Sequence, residues 1–174
     1  MSRLELIHGS CVEQKADAVV NAANRGLWAG GGICGAIFEK AGMRELTAAC
    51  EKIPTPLRDG DAVITPAFGI KNAKAIIHAV GPDFSVTPDA FGALSDAYYH
   101  SLEVLMENGY HSISFPLISA GIFGGNLQDP AAESAKQCRL AYERFVSEHP
   151  DHAIDVKLCA FSAKEYESAS REIG

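Results

Sequence analysis

"VVNAANRGLWAGGGICGAIFEKAG", Val19 to Gly42, holds a strand, a glycine-rich turn and a helix in direct succession. Ala16 to Asn21 has the continuous apolar character of a strand covered on both faces. Two asparagines, Asn21 and Asn24, stand where that run gives out. Ile33, Ala36, Ile37 and Lys40 then recur at helical spacing, with Gly42 placed to act as C-cap. Between strand and helix lies the triplet Gly30-Gly31-Gly32. Glycine lets a backbone approach a ligand without a Cβ in the way. At a helix N-terminus, free N–H groups and the helix dipole favour an anion, phosphate above all.

Outward from this unit the same alternation continues. Leu4 to Ile7, Ala62 to Thr65, Ala75 to His78, Ser112 to Leu117 and Val156 to Phe161 have strand character. Met43 to Ile53 continues as a helix up to Pro54, and "PTPLRDGD" is loop. Leu94, Tyr98, Leu102, Leu105 and Met106 follow the 3.6 period of a helix. Asp129-Pro130 supplies an N-cap and a proline at the first helical position, before a face made by Ala131, Ala135, Cys138, Tyr142, Phe145 and Val146. Ser162 and Glu165 form a capping box for a terminal helix. Strands alternating with helices predict one α/β domain over residues 1–174, with a largely parallel sheet and ligands bound beyond the carboxyl ends of the strands.

Bulk properties set limits. The chain has 174 residues and a net charge of −7 without a basic stripe, which speaks against general binding to a nucleic-acid backbone. Its apolar runs are too short to span a bilayer, and "MSRLELIHGS" lacks the apolar stretch of a secretory signal, so the expected location is cytoplasmic. The cysteines (Cys11, Cys34, Cys50, Cys138, Cys159) include no C-x-x-C pair, and the six histidines include no H-E-x-x-H. No metal or cofactor is therefore expected.

A second glycine-rich turn follows a strand in "SFPLISAGIFGGN", Ser114 to Asn126. One such loop need only be a tight turn; two on one sheet edge could clasp a diphosphate between them. Neither is a P-loop, since the lysine of G-x-x-x-x-G-K-[ST] is missing, and "GGGICG" is a poor dinucleotide fingerprint. The asparagine amides, able to donate and accept, suit either a turn or the vicinal hydroxyls of a ribose.

Together "ADAVVNAAN", "GGGICGAIFEKAG", "IIHAVGP" and "FPLISAGIFGG" resemble a macro domain, in order from Leu4 to about Tyr166. The resemblance implies a three-layer α/β/α sandwich with a mixed, largely parallel central sheet and a cleft for ADP-ribose. It implies that Gly32, Ile33 and Cys34 form a first pyrophosphate loop, and Ser119, Ala120, Gly121, Ile122, Phe123 and Gly124 a second. Asn24 would contact the distal ribose and orient a reactive water, Phe123 would cover that ribose, and Phe161 would stack on adenine, although an aromatic ring there equally suits a core. His78 is expected to be structural.

Two departures stand out. Hydrolytic members of the MacroD type usually carry aspartate where this chain has Cys34. Many members also place a carboxylate near the N-terminus for the adenine amino group, where this chain has Ser10 and Cys11. Viral macro domains can lack the loop aspartate and still resemble hydrolases, and Cys34 is expected to act as a spacer rather than a nucleophile. The implied function is hydrolysis of ADP-ribosyl esters, on protein Asp/Glu or in O-acetyl-ADP-ribose. The alternative is a non-catalytic ADP-ribose module. The implied partner is ADP-ribose or an ADP-ribosylated protein, and an RNA-directed role is disfavoured by the acidic balance.

Overall fold

The computed structural model describes residues 1–173. In chain order the strands are β1 (Arg3–His8), β2 (Ala18–Ala23), β3 (Ala62–Pro66), β4 (Ala75–Val80), β5 (Ser112–Pro116) and β6 (Asp155–Ala160). The helices are α1 (Gly32–Ala41), α2 (Met43–Glu51), α3 (Phe91–Glu107), α4 (Pro130–Glu148) and α5 (Ala163–Ser170). Single 3-10 turns occupy Cys11–Glu13 and Ile122–Gly124.

The sheet runs β1-β6-β5-β2-β4-β3. Every neighbouring pair is parallel except β3 with β4, so the sheet is mixed and largely parallel, as expected. The most deeply buried strands lie inside it: every residue of β4 is buried, and in β2 only Ala22 is partly exposed.

One layer packs Ile37, Phe38 and Leu46 of α1 and α2 against Val19 and Ile76. The other packs Tyr98, Leu102, Leu105 and Phe145 of α3 and α4 against Val20, Phe115 and Leu158. A fully buried side chain of this size contributes roughly 2–3 kcal/mol before the entropy of ordering it. Local cap chemistry fixes the helix starts that the sequence marked. Asp129 accepts from the Ala132 amide at 3.2 Å ahead of Pro130, and Ser162 and Glu165 cap α5 reciprocally.

The site arises from how β2 and β5 part company. β2 feeds α1 on one face, whereas β5 feeds α4 on the other, so the order of the sheet switches between two neighbouring strands. Their ladder holds only Ala18 with Ile113 and Val19 with Ser114. Beyond that the strands separate, and the Cys11 turn fills the split: its thiol meets the Val20 carbonyl at 3.9 Å, and the Ser114 hydroxyl donates to the Cys11 carbonyl at 2.8 Å. A crevice outside the carboxyl ends of strands at a switch point is where such sheets bind ligands.

Candidate active site

Two concavities open along that crevice. The larger, about 420 Å³, lies between the Gly9–Cys11 segment, the start of α1 and the loop after β5, with Cys159 and Phe161 at one end. Gly32 and Ile33 line one side and Gly121 the other, so the two glycine loops face a common space. The smaller, about 290 Å³, contains Asn24 and Phe123 together with Val80 and Gly81.

In the first loop, Gly31 is the N-cap residue of α1 and offers no side chain. The first intrahelical bond runs from the Gly35 amide to the Gly31 carbonyl. Among the described residues, the amides of Gly32, Ile33 and Cys34 bond no protein acceptor, the ordinary state of a helix's first turn. In the second loop the amides of Gly121, Ile122 and Phe123 are likewise without an acceptor among the described residues. Not every expected donor is on offer. The Ala120 amide bonds Leu117 at 3.3 Å and the Gly124 amide bonds Gly121 at 2.9 Å, so these two residues build the turn and present no N–H to the cleft.

The second loop is held by a ring of three hydrogen bonds. The Ile118 amide donates to the Tyr98 hydroxyl at 3.0 Å, Tyr98 pairs with the Ser134 hydroxyl at 2.6 Å, and Ser134 donates to the Ile118 carbonyl at 2.6 Å. All three lie in the core, and burial raises the Tyr98 pKa far above its ordinary value. Tyr98→Phe is expected to lose about 1–3 kcal/mol in urea unfolding, because the Ile118 amide is then left buried without a partner and the Ser134 hydroxyl loses one of its two bonds.

The two asparagines have separate roles. Asn21 is not at the end of the strand as expected: β2 runs to Ala23, and Asn21 is buried inside it, its amide nitrogen 3.0 Å from His78 Nδ1. His78 Nε2 reaches the Thr65 hydroxyl at 2.9 Å, completing a polar ladder across β2, β4 and β3. His78 is thus structural, and burial lowers its pKa to about 4. An imidazole held neutral in the folded state charges first in the unfolded one. Stability is accordingly full above pH ~6.5 and falls as pH drops towards 4, by about 3 kcal/mol in all. Denaturant titrations at pH 7 and pH 4 check this, with a flatter dependence expected in His78→Gln.

Asn24 lies one residue past β2, where its side chain folds over the next turn. Its Nδ2 donates to the Trp28 carbonyl at 2.9 Å, and its Oδ1 accepts the Trp28 amide at 3.1 Å. Each amide atom keeps one further donor or acceptor. Cys34 lines neither concavity. It is 5 % exposed, and its sulfur accepts the Gly30 amide at 3.4 Å and lies 3.7 Å from the Trp28 carbonyl. Its place is behind the loop, in keeping with a spacer. Phe161 is 78 % exposed at the cleft mouth, which excludes the core alternative. Ser10 and Cys11 line the same end.

A Macro domain family model matches residues 20–135. The chain belongs to the macro domain family. It is similar to the O-acetyl-ADP-ribose deacetylase of Citrobacter rodentium, 45 % identical over 127 residues covering 71 % of each chain. Among solved structures, the Oceanobacillus iheyensis macrodomain with ADP superposes with a TM-score of 0.88 at 32 % identity, over 99 % of this chain and 90 % of that one. The Trypanosoma brucei macrodomain in complex with ADP-ribose gives 0.84 at 26 % identity, over 98 % and 69 %.

Several residues of this macro domain's crevice carry no signal in the sequence. Leu117, Ala36 and Cys159 shape the larger concavity, and Trp28, Val80 and Val86 the smaller. Apolar residues on strands and helices look the same whether they end up in a core or at a cleft.

Proposed function

We propose that this macro domain binds ADP-ribose, with the diphosphate between the two glycine loops, and hydrolyses ADP-ribosyl esters. The observation that carries the reading concerns Gly31 and Gly121. Both have ordinary negative φ, and a Cβ built on either meets no atom within 4 Å. Protein packing does not call for glycine at either position, nor does the extended backbone at Gly31. Close approach of a ligand does, and the unpaired amides beside them supply its anion with donors. Adenine then falls to the Phe161 end with Ser10 and Cys11, and the distal ribose to Asn24 and Phe123.

Asn24 holds a water by its spare amide functions. That water attacks the anomeric carbon, the carbon–oxygen bond to the acyl group breaks, and the carboxylate leaves with no need of a strong acid. For an O-acetyl ester the same water attacks the acyl carbon, the bond from that carbon to the ribose oxygen breaks, the ribose departs as its hydroxyl with a proton from the water, and the acyl group is released as acetate. Positioning and main-chain donors provide the catalysis. The similarity to a relative named O-acetyl-ADP-ribose deacetylase supports this reading.

A second reading, capture of ADP-ribose without chemistry, is favoured by Cys34, which puts a buried thiol where a carboxylate would serve as base. Calorimetry with ADP-ribose, run beside turnover assays on O-acetyl-ADP-ribose and on an Asp/Glu-ADP-ribosylated protein, separates the two. Tight binding with turnover supports the enzyme, tight binding without turnover supports the module, and no binding defeats both. Cys34→Asp tests the position directly: turnover at least about tenfold above wild type would assign a carboxylate there to the chemical step, and a rate equal to wild type would leave position 34, behind the loop, outside it.

A further inference from the structure

The concavity around Asn24 extends past anything the proposed hydrolysis uses. Beyond Asn24 and Phe123 it is walled by Trp28 and Val86 and flanked by Asp59 and Asp83. We propose that this is a slot for the acceptor side of the substrate: a peptide bearing the ADP-ribosylated side chain, with an apolar residue next to it and a basic residue on the Asp83 side. The inference rests on the ADP-ribose reading of the crevice.

Both walls are apolar, exposed and fixed. Trp28 is 64 % exposed, yet one edge of its ring lies against Gly26, where a Cβ would come within 2.0 Å of it. The turn beneath is set by Leu27, which takes φ +58° and buries its side chain while Trp28 is turned outwards. The Trp28 backbone also carries both bonds to the Asn24 amide, so the indole and the proposed reactive residue move as one unit. Opposite, Val86 is 75 % exposed on a turn closed by bonds from the Val86 and Thr87 amides to the Asp83 carbonyl. The neighbouring Phe84 amide ties that turn to the Phe123 carbonyl at 2.8 Å. A preorganised aromatic platform facing a second apolar wall is what an interface anchor occupies at low entropic cost.

Charge selects among occupants. Arg25 holds Asp59 through two bonds of 2.9 Å, so those charges offset one another. Asp83 takes the amide and hydroxyl of Ser85 but has no ion-pair partner among the described residues. The slot is therefore negative on one flank, and complementarity favours a Lys or Arg there. An acetyl ester has neither the surface for two apolar walls nor a charge for Asp83. A peptide acceptor has both.

The test uses peptides carrying ADP-ribose on one side chain through a non-hydrolysable linkage, flanked either by Leu and Lys or by Glu on both sides, each compared with free ADP-ribose by calorimetry. In the wild-type protein the Leu/Lys peptide is expected to bind about tenfold tighter than ADP-ribose, and the Glu-flanked peptide no tighter. In Trp28→Ala and Val86→Ser that advantage should shrink towards unity, a ratio taken within each variant and so independent of how much of it is folded. A Leu/Lys peptide that binds wild type no better than ADP-ribose, or a Glu-flanked peptide that gains equally, overturns the slot while leaving the nucleotide site standing. Absence of ADP-ribose binding itself overturns the reading beneath it, and the slot with it.

Discussion

Asn24→Ala should lower turnover of ADP-ribosyl esters by about two orders of magnitude or more while the protein stays folded and still binds ADP-ribose. Orienting a nucleophilic water is worth several powers of ten when the reacting atoms are otherwise held in place. The structural cost is smaller. The variant loses two bonds to the Trp28 backbone at a partly exposed turn, about 1 kcal/mol each in net terms, and water can replace both. The diphosphate donors belong to other residues and should be untouched. Single-turnover kinetics set beside a binding isotherm give the split: the expected drop in rate constant is much larger than the rise in Kd from the lost ribose contact. Equal losses in both would assign Asn24 to binding rather than to the chemical step.

Gly121→Val should have the largest effect on binding, a loss of about a hundredfold or more in ADP-ribose affinity with little change in thermal midpoint. The space a Cβ would enter at this residue holds no protein atom within 4 Å, so packing gives the fold no reason to object. That same space is the cleft wall facing Gly32 and Ile33. A branched side chain there stands where the diphosphate would lie, and it also keeps the neighbouring amides from closing on it. Unchanged affinity would mean that the second loop never approaches the ligand. A fall in stability matching the fall in affinity would mean that the substitution acts through folding.

Local chemistry explains most of what was legible beforehand. Caps at Asp129 and Ser162, the buried β-branched run of β2 and the helical face of α3 are each written within a few neighbouring residues, and each occurs where it was expected. Boundaries drifted where no such signal exists. α3 begins at Phe91 rather than Leu94, behind an Ala90 that caps nothing, and β2 extends to Ala23 because Asn21 spends its amide on a histidine 57 residues away. The antiparallel pairing of β3 had no trace in five residues of ordinary strand composition. In the site, the glycine loops were readable because their composition is itself unusual. The ring that fixes the second loop joins Tyr98, Ile118 and Ser134 across three elements, and the Trp28–Val86 slot joins two turns. Contacts of that kind exist only after the chain has folded.

The proposed grip is made of peptide N–H groups, and every residue except proline has one. Side chains at positions 33, 34 and 122 are thus released from the duty of holding the anion, and can be exchanged without erasing it. A thiol in place of a carboxylate at position 34 retunes or silences the reaction while leaving the nucleotide cradle intact. Divergence of activity across such a scaffold is then decoupled from loss of the ligand.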